Sequence, residues 1–145
     1  MRWILLDRVA SIKRGQSAVS FARIPEASWV SPELLLMEMM AQTGGILAGA
    51  ESDFRQDLVF TKIEKADFPG PFSRGEEIEV LASSEEARPE GGWIDAKILN
   101  SRGAQIAQAR FLLISTGSLV PGVPGSVTFH EAFMEHFKIR EKVQA

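Results

Sequence analysis

Residues 34–45 read LLLMEMMAQTGG, an apolar run that carries one acid, Glu38, and one amide, Gln42, a single helical turn later. The three residues Ser31, Pro32 and Glu33 just ahead of it form a helix start. Serine serves as the N-cap, proline fills the first helical position where its missing N–H costs nothing, and the acid sits near the positive end of the helix dipole. From here the sequence predicts a helix of about 18 residues with apolar groups on nearly every side. Such a helix cannot lie on a surface; other structure must enclose it.

The flanking sequence supplies strands to do so. Residues 3–8 and 17–22 are short runs with β-branched or aromatic residues, separated by a turn at Lys13, Arg14 and Gly15. RIPEASWVSP, with two prolines and no period, is a loop. After the acidic loop ESDFRQD come LVFTKIEKADF, EEIEVLASSE, GWIDAKILN and AQIAQARFLLIS, four strand-like segments divided by turn clusters. Asn100, Ser101, Arg102 and Gly103 read as a hairpin loop between the last two. The expected layout is α+β, an antiparallel sheet of about six strands curled around one long central helix. Residues 1–115 are assigned to that domain, 116–128 to a Pro/Gly linker, and 129–145 to a helical tail. In the tail, Phe129, Phe133 and Phe137 repeat at i, i+4 and i+8, a stripe that needs a surface to cover it.

At 145 residues the chain suits a single domain with its own core. A net charge of −3 offers no basic field for nucleic acid or an anionic membrane. The absence of cysteine removes disulfides, thiolate nucleophiles and cysteine zinc sites, and fits a reducing compartment, so the cytoplasm is expected. The N-terminus lacks the pattern of a signal peptide. The apolar stretch of residues 34–50 falls short of the roughly 20 residues that span a bilayer and is interrupted by Glu38 and Gln42, so no membrane span is expected.

At 100° per residue, Glu38, Gln42, Gly45 and Gly49 share one stripe of the helix. A carboxylate in apolar surroundings loses hydration and its pKa rises, which is how a general acid or base is made. The same pattern also suits a structural polar knot in which Glu38 and Gln42 bond each other and nearby backbone. The glycines read as packing devices that let another backbone approach.

Residues 32–47, PELLLMEMMAQTGGIL, resemble the central helix of the hotdog-fold β-hydroxyacyl carrier-protein dehydratases of fatty-acid synthesis. That pattern is proline-glycine, four apolar residues, an acid, then two residues and Ala-Gln. Residues 60–78, FTKIEKADFPGPFSRGEEI, resemble the family's next strand pair. The likeness spans roughly residues 1–115. It implies a dimeric hotdog protein with Glu38 as catalytic acid and Gln42 at the family's amide position. It also implies an acyl thioester on acyl carrier protein or coenzyme A as substrate, and no metal or other cofactor. Acyl length should be set by what lines the tunnel beside the helix, where Phe60 and Trp29 are candidates.

Two departures bear on the reaction. The family's base is a histidine 14 residues before the acid, supplied across the dimer interface, and here that position is Ile24. The family's glycine five residues before the acid, whose N–H polarises the thioester carbonyl, is Glu33 here. The two histidines, His130 and His136, lie in the tail outside the resemblance, and their spacing is wrong for a shared metal face.

The expected function is that of a dehydratase-like hotdog protein acting on or binding acyl thioesters, with a thioesterase or a non-catalytic partner subunit as the alternatives. A dehydratase-like enzyme would need its base replaced, or supplied by a histidine-bearing homologue in a heterodimer. A hotdog thioesterase would use Glu38 alone, with the helix-start amides of Glu33 and Leu34 holding the oxyanion. A non-catalytic subunit would bind an acyl chain or carrier protein, or stabilise an active homologue.

Overall fold

The protein is described from a computed structural model covering residues 4–86, 88–117 and 128–144. Two strands, β1 (Leu6–Lys13) and β2 (Ser17–Arg23), form a hairpin closed by a turn in which Gly15 takes a left-handed φ of 73°. The central helix α1 (Pro32–Gly49) follows, then a short 3-10 turn (Ala50–Ser52). Next come β3 (Asp57–Asp67), β4 (Glu77–Ser84), β5 (Gly91–Leu99) and β6 (Gln105–Gly117). The chain closes with α2 (Glu131–His136), α3 (Ile139–Lys142) and β7 (Val143–Gln144). The strands form one sheet in the order β3-β6-β5-β4-β2-β1-β7, antiparallel except for the β1–β7 pair.

Helix α1 starts where its sequence says it should. Ser31 is the N-cap, its hydroxyl accepting from the Leu34 amide at 3.4 Å, and Pro32 begins the helical residues. At the other end the Arg14 guanidinium bonds the Ala50 carbonyl and pairs with Asp53 at 2.8 Å, placing a cation at the negative end of the helix. Leu35, Leu36, Met39, Met40, Ile46 and Leu47 are buried, so most of the helix circumference is in the core. They meet the inward residues of the sheet, which alternate with outward ones: Ala18, Ser20 and Ala22 on β2, Ile78, Val80 and Ala82 on β4, Ile94, Ala96 and Ile98 on β5. One polar contact ties helix to sheet, the Ser20 and Thr43 hydroxyls at 2.6 Å.

The structure shifts two sequence expectations. The first strand runs from Leu6 to Lys13, not over residues 3–8. Its register slips between Leu6 and Arg8 and again between Val9 and Ser11, and these irregularities hide the alternation that would have marked it. The tail is not one helix. Lys138 adopts a left-handed φ of 51° that separates α2 from α3, and Val143 and Gln144 pair with β1 as a seventh strand. Phe129, Met134, Phe137 and Ile139 are buried in the same core as α1. The expected linker, residues 116–128, lies outside the described residues except at its ends, where β6 extends to Gly117 and Thr128 reappears. No described helix is long and apolar enough to cross a membrane.

Candidate functional site

One side of α1 is left uncovered by the sheet: Met37, Glu38, Ala41, Gln42 and Gly45 are only half-buried, and Leu34 is 65% exposed. The helical period puts these positions on one stripe. Met37, Glu38, Ala41, Gln42 and Gly45 form a wall of a cavity of about 420 Å³. Leu58, Phe60 and Ile63 of β3 and Leu113 of β6 line a second side, and Thr128, Phe129 and Phe133 of the C-terminal segment line a third. Most of this lining is apolar; Glu38 and Gln42 are its main polar groups.

Those two groups are held in a fixed relation. Gln42 Oε1 accepts a hydrogen bond from the Leu5 amide at 3.0 Å, which turns its Nε2 toward Glu38, and Nε2 donates to Glu38 Oε1 at 3.2 Å. The carboxylate–amide pair spans one turn, as i, i+4 geometry allows. Burial raises the Glu38 pKa above the ordinary carboxylate range, and the bond from Gln42 offsets part of that rise by favouring the charged form. The result is a carboxyl group oriented by its neighbour, in a mostly apolar cavity, with its proton affinity shifted toward neutrality.

Of the residues singled out by sequence, Glu38, Gln42 and Phe60 meet in this cavity; Ile24, Glu33 and Leu34 are not among its lining residues. Ile24 continues the inward alternation of β2 and is fully buried. Its backbone N–H donates to the Glu76 carbonyl at 2.9 Å, and its carbonyl accepts from Gly75 at 2.6 Å. Glu33 is exposed on the first helical turn, and the Leu34 amide is taken up by the Ser31 cap. Trp29 is 96% exposed. Phe60 stacks on Phe111 with ring centroids 5.1 Å apart.

Neither histidine lines the cavity. His130 caps α2, its Nδ1 accepting from the Phe133 amide at 3.3 Å, and His136 lies edge-on to Phe137. Among the described residues no group of three histidine, cysteine or acidic side chains is placed to hold a metal ion.

Sequence reading missed the tail's share of the site and misjudged the glycines. The Phe stripe was visible, but nothing local says that Phe129 and Phe133 face the Glu38 cavity. Gly49 admits the ring of Phe129, not a backbone: a Cβ there would stand 2.5 Å from Phe129 Cζ. A Cβ on Gly44 would stand 2.8 Å from Phe111 Cζ, whereas one on Gly45 would meet nothing within 4 Å among the described residues. A wider hollow of about 570 Å³ lies on the outward face of the sheet, but its Arg110 and Asp95 already pair with each other at 2.7 Å.

No protein-family model and no curated protein matches the sequence. Solved structures match the fold. A hypothetical thioesterase protein from Streptococcus pneumoniae TIGR4, solved with coenzyme A, superposes with a TM-score of 0.62 at 14% identity, covering 76% of this chain and 88% of its own. The protein smu.793 from Streptococcus mutans UA159, solved bound to acetyl CoA, gives 0.63 at 13% identity over 81% and 96%. The E. coli PaaI protein from the phenylacetic acid degradation operon gives 0.58 at 15% identity over 78% and 76%. Together with the sheet order and the enclosed helix, these likenesses establish that the chain has the hotdog fold.

Proposed function

We propose that the protein hydrolyses acyl thioesters, with Glu38 as the catalytic carboxylate and Gln42 as the group that orients it. The observation that carries this reading is the Glu38–Gln42 pair, fixed through Leu5, on the wall of an apolar cavity. A water molecule bound beside Glu38 gives up a proton to the carboxylate as its oxygen attacks the thioester carbonyl carbon. The tetrahedral intermediate collapses with cleavage of the C–S bond, and the proton passes from Glu38 to the departing sulfur. The products are a carboxylic acid and a free thiol. The raised pKa makes Glu38 a better proton acceptor than an ordinary carboxylate, which suits a group that must take up and return a proton. The structural neighbours solved with coenzyme A or acetyl CoA support a thioester substrate.

Dehydration is the weaker reading. It requires a base to remove an α-proton, and the position that would supply one is Ile24, an isoleucine locked into the core. Such an activity would need a histidine from a partner chain.

We also propose that the working unit is a dimer joined along β3. This strand ends the sheet, and among the described residues it pairs only with β6, leaving its other edge open beside the exposed side chains of Phe60 and Ile63. A second copy pairing there would lie next to the cavity.

The test is release of free thiol from acyl-coenzyme A, followed with a thiol reagent. Hydrolysis is expected for the wild type, and Glu38→Gln should lower it by about 100- to 10,000-fold. No release with any acyl chain, alongside crotonyl-coenzyme A hydration on mixing with a histidine-bearing homologue, would replace this reading with the dehydratase one. Binding without turnover, unchanged by Glu38→Gln, would mark a non-catalytic subunit.

A further inference from the structure

The hydrolytic reading uses Glu38 and Gln42 and leaves the rest of the cavity unexplained. The glycines of α1 point to its purpose. Gly44 and Gly49 have packing reasons, because a Cβ on either would collide with a buried aromatic ring. Gly45 has none, since its Cβ would meet nothing within 4 Å among the described residues. A glycine in a helix interior lowers helix stability relative to alanine. Among the described residues no close-packed neighbour compensates for that loss.

The space beside Gly45 belongs to the Glu38 cavity. From Glu38 to Gly45 the helix rises by about 10 Å, at 1.5 Å per residue. Beyond Gln42 the lining is Gly45, Ile46, Leu58, Phe129 and Phe133, with Thr128 the polar exception. Phe129 is held in place from behind: it fills the notch at Gly49 and packs edge-on against Phe54 with centroids 5.2 Å apart. Phe133 lies beside it, 6.1 Å between centroids. The Gly45 side of the cavity is thus apolar, with an aromatic wall braced against the helix, and about 10 Å of helix separates it from Glu38, a distance greater than an acetyl group spans.

We propose that this side of the cavity is a chamber that receives the hydrocarbon end of a medium-length acyl group, and that Gly45 and Phe133 set the length accepted. The proposal rests on the thioester reading of the site and names the substrate class within it. Gly45 supplies room where any side chain would intrude, and Phe133 bounds that room from the C-terminal segment.

The experiment compares wild type, Gly45→Ala and Phe133→Ala on straight-chain acyl-coenzyme A thioesters from acetyl to palmitoyl, and on non-hydrolysable acyl-coenzyme A thioethers of the same lengths. The wild type is expected to favour medium chains over acetyl. Gly45→Ala should fold with a raised Tm and lose about 10-fold or more on the longest chains accepted, the scale of one misplaced methyl group in an apolar pocket. Phe133→Ala should move the optimum to longer chains. Length-graded thioether binding that shifts in the variants, without thiol release, would support the chamber while overturning hydrolysis. Thiol release with the same length profile in all three proteins would overturn the chamber alone, as would a wild type that prefers acetyl. A Gly45→Ala protein with an unchanged profile but weakened self-association would assign the space to a second copy and also overturn the proposal.

Discussion

Glu38 is where composition and chemistry pull in opposite directions. Burial raises its pKa, so the folded protein holds the proton more tightly than the unfolded chain does. In the window between the unfolded value, about 4.3, and the raised folded one, the native state binds more protons, so stability falls as pH rises through it. Ionising the carboxylate in the folded protein therefore destabilises the fold. Glu38→Gln should raise Tm at pH 7 while reducing activity, and the gain should shrink toward pH 4; thermal melts across this range check both parts. Gly44 makes a different prediction at the same scale. With Phe111 and Ile94 within 3 Å of the missing Cβ, Gly44→Ala should cost about 1–3 kcal/mol through overpacking, read from denaturant midpoints.

Among the elements, α1 carries its own instructions and the tail does not. Ser31, Pro32 and the apolar run specify where the helix begins and that it must be enclosed. The hairpin between β5 and β6 is equally local: Asn100 Oδ1 accepts from the Arg102 and Ala104 amides, and Gly103 takes a φ of 81°. The tail's Phe stripe predicts a helix, yet Phe129 precedes α2, and Lys138 interrupts the run. Its conformation follows from where it docks. Removing that docking is expected to be expensive: Phe129→Ala empties the notch at Gly49 and the contact with Phe54, and should destabilise the protein by about 3–5 kcal/mol in chemical denaturation.

Across the whole molecule, the two ends of the sheet are treated differently. At one end β7 pairs with Ile12 and Lys13 of β1, and Lys142 Nζ bonds the Val9 carbonyl at 2.6 Å, so the tail covers part of that edge. At the other, β3 is eleven residues long, mostly exposed, and carries Phe60 and Ile63 on its surface. Long exposed edges of this kind favour pairing with another chain. Light scattering coupled to size exclusion should find a dimer for the wild type, and Ile63→Lys should shift it to monomer with its secondary structure unchanged by circular dichroism. A wild-type monomer would remove the dimer proposal and leave the cavity open on the β3 side.

The sequence by itself determined the enclosed helix, its N-cap, the antiparallel strands that follow it, and the presence of an acid and an amide one turn apart on the helix. Each depends on spacings of a few residues, where period and turn chemistry act directly. Tertiary structure decided what no local pattern encodes. It buried Ile24 in the core, turned Gln42 toward Glu38 through the distant Leu5 amide, filled Gly49 with Phe129 and left Gly45 open. These are contacts between segments many residues apart, selected by which apolar surfaces can be covered together once the sheet has closed around the helix.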